Sequence, residues 1–181
     1  GQLALHLLEQ CNFILKTEKE PFAVTITNLG NRINSEYADY KPSLTADGLM
    51  MIFTSRRPEN EGGFIDPGCN CYYEDVYYSQ WQADSNLWTL AQGVPGSVNT
   101  EGHDAVLSIS ADGTQIFVYK NEQKNAGDIY TAKLKYSGRW SKADNIEKPI
   151  NSPFFDSYAS LTADGNTLYF CSERKGGFGS A

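Results

Sequence analysis

Residues 44–48 read LTADG, and the same five letters recur at residues 161–165. A third copy with two conservative changes, ISADG, occupies residues 109–113. An Asp-Gly pair between two apolar runs is a strong signal for a β-hairpin, because such tight turns need a positive φ that glycine adopts freely. The chain therefore repeats one hairpin three times, and the flanking sequence decides which larger unit repeats with it.

The flanking sequence repeats in order and in spacing. Each turn aspartate is preceded by an asparagine 13 residues earlier and by another aspartate eight residues earlier, and an apolar pair follows each turn. The first two units continue with an Asp-β-branched-Tyr segment and a tryptophan, Trp88 or Trp140, which we interpret as packing residues. The repeat-defining residues are Asn34, Asp39, Asp47 and Gly48 in the first unit, Asn99, Asp104, Asp112 and Gly113 in the second, and Asn151, Asp156, Asp164 and Gly165 in the third.

Each unit predicts about four short strands, including one before and one after the Asp-Gly turn. Four antiparallel strands that repeat in this way are typical of a β-propeller blade, and neighbouring blades must cover each other's faces. The predicted fold class is therefore all-β, with a partial β-propeller over 22–181. Its blades fall near 33–95, 98–148 and 150–181, the last one incomplete, so we expect the chain to be a fragment.

The first residues follow a different pattern. Residues 3–17 predict an α-helix, because Leu3, Leu7, Cys11 and Ile14 share one face. Pro21 ends the pattern. One short helix cannot bury such a stripe, so we expect 1–21 to be the end of a helical region that packs on what precedes it or on the domain that follows.

An insertion lengthens the first unit at residues 57–73, RPENEGGFIDPGCNCYY. Insertions in repeat proteins lie in loops and often on a binding face. The sequence therefore predicts a partner-binding loop here, and its candidate residues are Phe64, Asp66, Cys69, Cys71, Tyr72 and Tyr73.

The four cysteines are too few for a disulfide scaffold. We expect Cys11 and Cys171 to be buried small apolar side chains. For Cys69 and Cys71 three interpretations stay open: two loop thiols, which is the favoured one, a strained or redox-active disulfide, or part of a metal site that needs two more ligands.

Composition excludes some functions. The formal net charge of -7 and the pI of about 4.8 argue against nucleic-acid binding and against a polybasic membrane patch. No apolar run reaches the roughly 18 residues that a membrane-spanning segment needs.

No catalytic arrangement emerges from the sequence. A nucleophile elbow is absent from the chain, and His103 beside Asp104 could orient a general base but has no nucleophile to serve. We therefore predict that the chain is not an enzyme.

The recurring Asp39, Asp104 and Asp156 could form a ring of Ca²⁺ ligands, but we favour carboxylates that accept hydrogen bonds from nearby backbone N–H groups and fix their turns. We expect no cofactor.

The repeat as a whole resembles the TolB-like, or WD40-like, β-propeller repeat. The matching pattern is N-[ST]-x(3)-D, then [LI]-[ST]-A-D-G, then an apolar pair with x-S-x-R, then D-[IV]-Y and a Trp strand. It runs from about residue 28 to 179 and is similar to envelope proteins of gliding and type IX secreting bacteria. Those proteins combine a helical TPR region, this propeller and an OmpA-like domain. The resemblance implies six blades, and a TPR origin for residues 1–21. The C-x-C segment departs from the pattern.

The function implied by this resemblance is a non-catalytic scaffold in the periplasm, associated with the outer membrane. Its partners would be envelope or secretion-machinery proteins, and peptidoglycan would be reached only through a domain absent from this chain. Two alternatives remain open. The propeller could belong to a larger peptidase-type enzyme, which a downstream G-x-S-x-G would indicate, or it could bind glycans through Tyr72, Tyr73 and Trp81.

Overall fold

A computed structural model describes residues 2–19, 23–121 and 127–177. The predicted domain boundary between 21 and 22, and the last four residues of the predicted third blade, lie outside this part of the chain. The described residues form one helix, α1 (Gln2–Lys19), followed by short β-strands. The expectation of a mainly β chain with one short helix is confirmed.

The first sheet, here called sheet 1, is built around the first Asp-Gly turn. Its strands run in the order β1-β2-β5-β6, with β7 also paired to β5, and all pairs are antiparallel. The strands are β1 (Asp39–Leu44), β2 (Met50–Ser55), β5 (Asp75–Gln82), β6 (Leu87–Trp88) and β7 (Gln92–Gly93). A separate two-stranded hairpin, β3 (Ile65–Asp66) and β4 (Cys71–Tyr72), lies within the insertion.

The second and third sheets repeat this arrangement. Sheet 2 has the order β11-β10-β9-β8, and sheet 3 contains β12 and β13. Their strands are β8 (Asp104–Ile109), β9 (Gln115–Lys120), β10 (Asp128–Lys133), β11 (Asp144–Asn145), β12 (Asp156–Leu161) and β13 (Leu168–Ser172). In all three sheets the first hairpin has a register shift near the middle of its first strand.

The sheets pack against each other through alternate faces of their strands, as period-two strands allow. Ile52 and Val76 of sheet 1 share a core with Val106 and Val118 of sheet 2. The opposite face of sheet 2 packs on sheet 3, where Phe117 and Ile129 meet Ala159. The first strands β1, β8 and β12 adjoin, since β8 contacts both of the others. Lys41 of β1 also reaches the Tyr158 ring of β12, with 4.9 Å between Nζ and the ring centroid.

Two expectations about elements need correction. The helix does form, but its apolar side chains are exposed, including Leu3 at 73% and Phe13 at 70%, and it contacts no described strand. The predicted fourth strand at the tryptophan is only a two-residue ladder at Trp88 and isolated bridges at Trp140. In the first unit β6 and β7 each pair with β5 over two residues, whereas in the second unit the fourth strand is β11, which begins four residues after Trp140.

Candidate functional site

The Asp-Gly turns are closed by the aspartate itself. In each turn the Ser or Thr hydroxyl two residues earlier donates to the aspartate Oδ1, and the N–H two residues later donates to the same atom. These hydrogen bonds lower the pKa of Asp47, Asp112 and Asp164. The three glycines have φ between 70° and 73°, the region that a side chain disfavours. The repeated LTADG is therefore a self-contained turn.

The second recurring aspartate makes a contact that we call the Asp lock. In the first unit, the Ser35 N–H and hydroxyl donate to one carboxylate oxygen of Asp39 at 2.6 and 2.8 Å. The other oxygen accepts from the Arg57 guanidinium at 3.0 Å, and that guanidinium also donates to the carbonyl of Ile33. The lock joins the start of the unit to the segment that follows its second strand.

The third unit repeats the lock with the same residue types. Asp156 accepts from the N–H and hydroxyl of Ser152 at 2.6 and 2.8 Å, and from Arg174 at 3.0 Å. Arg174 also donates to the carbonyl of Ile150. The spacing from aspartate to arginine is 18 residues in both units.

The second unit reaches the same geometry with a different residue. Lys120 occupies the register position opposite Asp104 that Ser55 and Ser172 occupy opposite their aspartates. Its Nζ lies 2.5 Å from the Asp104 carboxylate and donates to the Val98 carbonyl. Lys120 and Asp104 are both buried, at 6% and 0% exposure. Because Lys120 belongs to the second strand, the cation of this lock comes from the strand rather than from the following loop.

The locks explain what the recurring carboxylates do. Burial by itself would raise the pKa of Asp39 and Asp156, but hydrogen bonds from serines and from the arginine lower it below the ordinary value. Both oxygens of each carboxylate are committed to groups of the chain. The structure therefore supports the turn-fixing interpretation rather than a Ca²⁺ ring.

The recurring asparagine makes an inter-sheet contact, which we call the Asn clamp. The Asn99 carboxamide accepts from the N–H of Val76 at 2.9 Å and donates to its carbonyl at 3.0 Å. Asn151 makes the same pair of bonds to Ile129, at 3.0 and 2.7 Å. Each clamp thus ties one unit to the third strand of the preceding unit. Asn34 has no such partner among the described residues.

The insertion contains a regular β-hairpin and is not only a loop. Its hairpin β3–β4 is closed by a disulfide between Cys69 and Cys71, with a Cα–Cα distance of 5.3 Å. The favoured expectation of two loop thiols is therefore wrong, because the turn brings the two side chains together. The Arg56 guanidinium donates to both sulfurs and to the Tyr72 carbonyl. Phe64 and Ile65 remain 52% and 51% exposed.

The remaining cysteine expectation also fails. Cys11 and Cys171 are both exposed rather than buried. Cys11 lies on the uncovered helix. Cys171 lies on β13, on the face that points away from sheet 2, because the alternate residues Leu168 and Phe170 take the packed face.

His103 does not pair with Asp104. Its Nδ1 lies 2.7 Å from Oε2 of Glu74, and its ring packs on Tyr73 with centroids 4.1 Å apart. Asp104 instead faces the buried Lys120. The His-Asp pair that the sequence allowed does not form, since consecutive residues of an extended segment point to opposite sides. Asp66 contributes a longer contact, 3.8 Å from Nε2 of His103.

A cavity of about 970 Å³ lies beside the base of the insertion. Its lining includes Glu36, Glu59 and Glu61, together with Tyr37 and Asp75. Burial raises the pKa of Asp75 to about 7, although the Glu61 N–H donates to it at 2.7 Å. The cavity is therefore acidic at its rim and holds a carboxyl group that is easily protonated at its base.

The aromatic candidates do not form one platform. Tyr72 packs on Tyr37, Tyr73 on His103, and Trp81 on Trp88, each with its own ring partner. The structure therefore offers no common sugar-stacking surface among these described residues. Trp140 is buried in the shared core of sheets 1 and 2, as a packing residue would be.

Sequence reasoning missed several residues of these sites. Arg57 and Arg174 were visible as the last letter of x-S-x-R, but nothing in the pattern showed that they reach back to the aspartate. Lys120 breaks that pattern and was not singled out. Arg56 and Glu74 carried no local signal, because their contacts join segments 13 to 29 residues apart.

No protein-family model matches the chain, and no curated protein sequence is significantly similar to it. Across residues 2–19, 23–121 and 127–177, no helix combines the length and apolar character needed to cross a bilayer. The same part of the chain contains no group of three His, Cys, Asp or Glu side chains arranged to hold a metal ion.

Proposed function

We propose that this chain is part of a TolB-like β-propeller that acts as a non-catalytic protein-interaction scaffold in a bacterial cell envelope, on the periplasmic side of the outer membrane. The repeated Asp locks, the Asn clamps between successive units and the adjoining first strands support a propeller arrangement. The disulfide supports an extracytoplasmic location, because disulfides persist in oxidising compartments.

One position supports the presence of further blades. The first residue of the apolar pair points toward the next sheet, and it is buried at Ile52 and at Phe117, with 0% and 2% exposure. The equivalent Tyr169 of sheet 3 is 67% exposed. A side chain that is buried in two units and exposed in the third is what a missing neighbour would cause.

The observation that carries the interaction role is the hairpin of the insertion. A disulfide and Arg56 hold this hairpin in place, yet the insertion exposes Phe64 and Ile65, which follow Glu59 and Glu61 of the acidic cavity closely along the chain. A rigid apolar pair costs little ordering entropy when a partner covers it. We therefore propose a protein partner that inserts apolar side chains against Phe64 and Ile65 and directs a lysine or arginine toward Glu36, Glu59 and Glu61.

The test is a crosslinking affinity purification of the full-length protein from its native cell envelope, read by mass spectrometry. We expect outer-membrane or secretion-machinery proteins, with crosslinks on residues 57–73. The double variant Phe64→Ser/Ile65→Ser should lose them. A matched control, Leu87→Ser/Leu90→Ser, replaces two apolar residues that are 45% and 60% exposed elsewhere on the chain and should retain them.

The proposal fails if the same proteins are recovered at equal yield with the hairpin variant and with its control. It also fails if the crosslinks fall outside the insertion, because the partner would then use another surface.

A further inference from the structure

The C-x-C disulfide has features that a purely structural disulfide does not need. It joins residues two apart, so it constrains an extremely short loop and restricts the unfolded chain very little. It also lies at the tip of an exposed hairpin, where Cys69 is exposed and Cys71 half-buried. The bond is therefore accessible to an attacking group and contributes little to holding the sheets together.

A single cation is directed at the two sulfurs. The Arg56 guanidinium donates through Nη1 to both of them, at 3.3 Å to Sγ of Cys69 and at a shorter distance to Sγ of Cys71. Guanidinium groups remain charged at any physiological pH, and a cation beside sulfur stabilises a thiolate. Of the two possible thiolates, the one on Cys71 would receive the closer hydrogen bond.

Arg56 is held in this position by groups that are not sulfur. Its Nη2 lies 2.8 Å from Oε2 of Glu74, and its Nη1 donates to the Tyr72 carbonyl at 3.2 Å. Glu74 is itself buried and is contacted by His103 on the same oxygen. These contacts do not depend on the disulfide, so the guanidinium would keep its position after the S–S bond opens.

We propose that Cys69 and Cys71 form a thiol–disulfide exchange site that oxidises a dithiol. A thiolate of the dithiol attacks the exposed Sγ of Cys69, the S–S bond breaks, and its electron pair leaves on Sγ of Cys71 as a thiolate facing Arg56. The second thiolate of the dithiol then attacks its own sulfur in the mixed disulfide and releases Cys69. The dithiol is oxidised to a disulfide, the Cys69–Cys71 pair is reduced to two thiols, and the two protons pass from the substrate thiols to the products through solvent.

The first test asks which of the two sulfurs is attacked. It uses the otherwise wild-type chain with Cys11→Ser and Cys171→Ser, which remove the exposed free thiols. The probe is reduced glutathione, followed by acid quenching and tandem mass spectrometry with fragmentation between Cys69 and Asn70. We expect the glutathione adduct predominantly on Cys69. An adduct mainly on Cys71, or no adduct under conditions that reduce an exposed disulfide, would overturn the proposal.

The second test examines the role of Arg56. It measures the rate at which dithiothreitol opens the disulfide at fixed pH, and the released thiols are detected by alkylation. Arg56→Gln should slow opening about tenfold, because the leaving thiolate loses its cation. Arg56→Lys should recover most of the rate. Arg139→Gln, which removes an exposed guanidinium elsewhere, should leave the rate unchanged.

The variants must keep the same circular dichroism spectrum and unfolding midpoint, so that a slower rate reports the thiolate and not a disturbed hairpin. Equal rates for Arg56→Gln and the parent chain would overturn the assigned role of Arg56. The glutathione mapping does not use these variants and remains decisive if one of them fails to fold.

Discussion

At the scale of the residue, aspartate takes three roles in this chain, and these roles differ because the surroundings of the carboxyl group differ. The aspartates of the Asp-Gly turns stay in solvent and accept hydrogen bonds from their own turns. Those of the Asp locks are buried and balanced by a cation. Asp75 is buried and forms no ion pair with a described residue, and its Oδ1 accepts no hydrogen bond from one. Desolvation and pairing therefore decide what each carboxyl group contributes.

The buried pair of the second unit gives the first residue-scale prediction. Asp104→Asn leaves the Lys120 ammonium buried without a counter-charge, so we expect a loss of about 3–5 kcal/mol in the free energy of unfolding. Urea unfolding measures this loss. Asp84→Asn, at an exposed turn, should change stability by less than about 0.5 kcal/mol.

A double variant separates the charge effect from a loss of packing. Asp104→Asn combined with Lys120→Met removes both charges and should recover much of the lost stability, because an apolar side chain of similar size needs no partner. A double variant as unstable as Asp104→Asn alone would show that the lost stability does not come from an uncompensated Lys120 ammonium.

The raised pKa of Asp75 gives a prediction for pH dependence. Burial raises this pKa from 3.8 to about 7, so between these values the folded state binds more protons than the unfolded state. Stability attributable to Asp75 is therefore fully present below about pH 4 and is lost as the pH rises to about 7. Asp75→Asn should remove this loss and stabilise the protein at pH 8 by roughly 2–4 kcal/mol.

Urea unfolding at pH 5 and pH 8 tests this directly. The parent chain should lose more stability between these values than Asp75→Asn does, and histidine titration cancels in the comparison because both proteins contain the same histidines. Parallel pH profiles would show that Asp75 is already ionised at pH 5 in the folded state.

At the scale of the element, the important contacts join one unit to the third strand of another. An extended strand presents main-chain N–H and C=O groups at its ends that need partners when they are buried. The Asn clamps supply both partners from one carboxamide, at Val76 and at Ile129. The clamp thus fixes how far one sheet can slide relative to the next.

This arrangement predicts a difference between equivalent asparagines. Asn99→Ala leaves the N–H of the fully buried Val76 without a partner, while its C=O still accepts from the N–H of Val94, and should cost about 1–3 kcal/mol of unfolding free energy. Asn34→Ala, at the same repeat position but with no described partner, should be nearly neutral in this chain. Equal effects in chemical denaturation would contradict the clamp.

At the scale of the whole molecule, the sheets are not independent. Sheets 1 and 2 share one apolar core, and sheets 2 and 3 share another. Side-chain hydrogen bonds also cross between sheets: the N–H of Val106 donates to the Thr54 hydroxyl at 2.9 Å, and the Ser108 hydroxyl donates to the carbonyl of Ala159 at 2.7 Å. No single sheet buries both of its faces alone, so we expect the three to unfold together.

Hydrogen exchange read by mass spectrometry tests this cooperativity. Val106→Ala, in the core between sheets 1 and 2, should cost about 1–3 kcal/mol and should lower protection in β2 and in β10 by the same factor. Val24→Ala, at a site 72% exposed, makes the same chemical change and should leave protection unaltered. Loss of protection confined to sheet 2 would mean that the sheets open separately.

Local sequence was sufficient for the turns and for most strands. LTADG contains its own hydroxyl, carboxylate and glycine, so the turn forms the same hydrogen bonds in all three copies. The β-branched and aromatic runs predicted the strands beside the turns and the Asp-β-branched-Tyr strands of the first two repeats for the same reason, since the pattern of a strand is written in adjacent residues. The fourth strand of the second unit was misplaced, because its position depends on where a distant strand edge accepts it.

The sequence by itself determined the repeating unit: which residues form the turns, where the strands run and which positions recur. Only the tertiary structure decided which cation pairs with each aspartate and which strand each asparagine clamps. It also decided that Cys69 and Cys71 form a disulfide beside Arg56 and that the apolar face of the helix is exposed. The physical reason is range. Turn and strand propensities act between neighbours along the chain, whereas ion pairs, clamps and burial act between groups that only folding brings within a few ångströms.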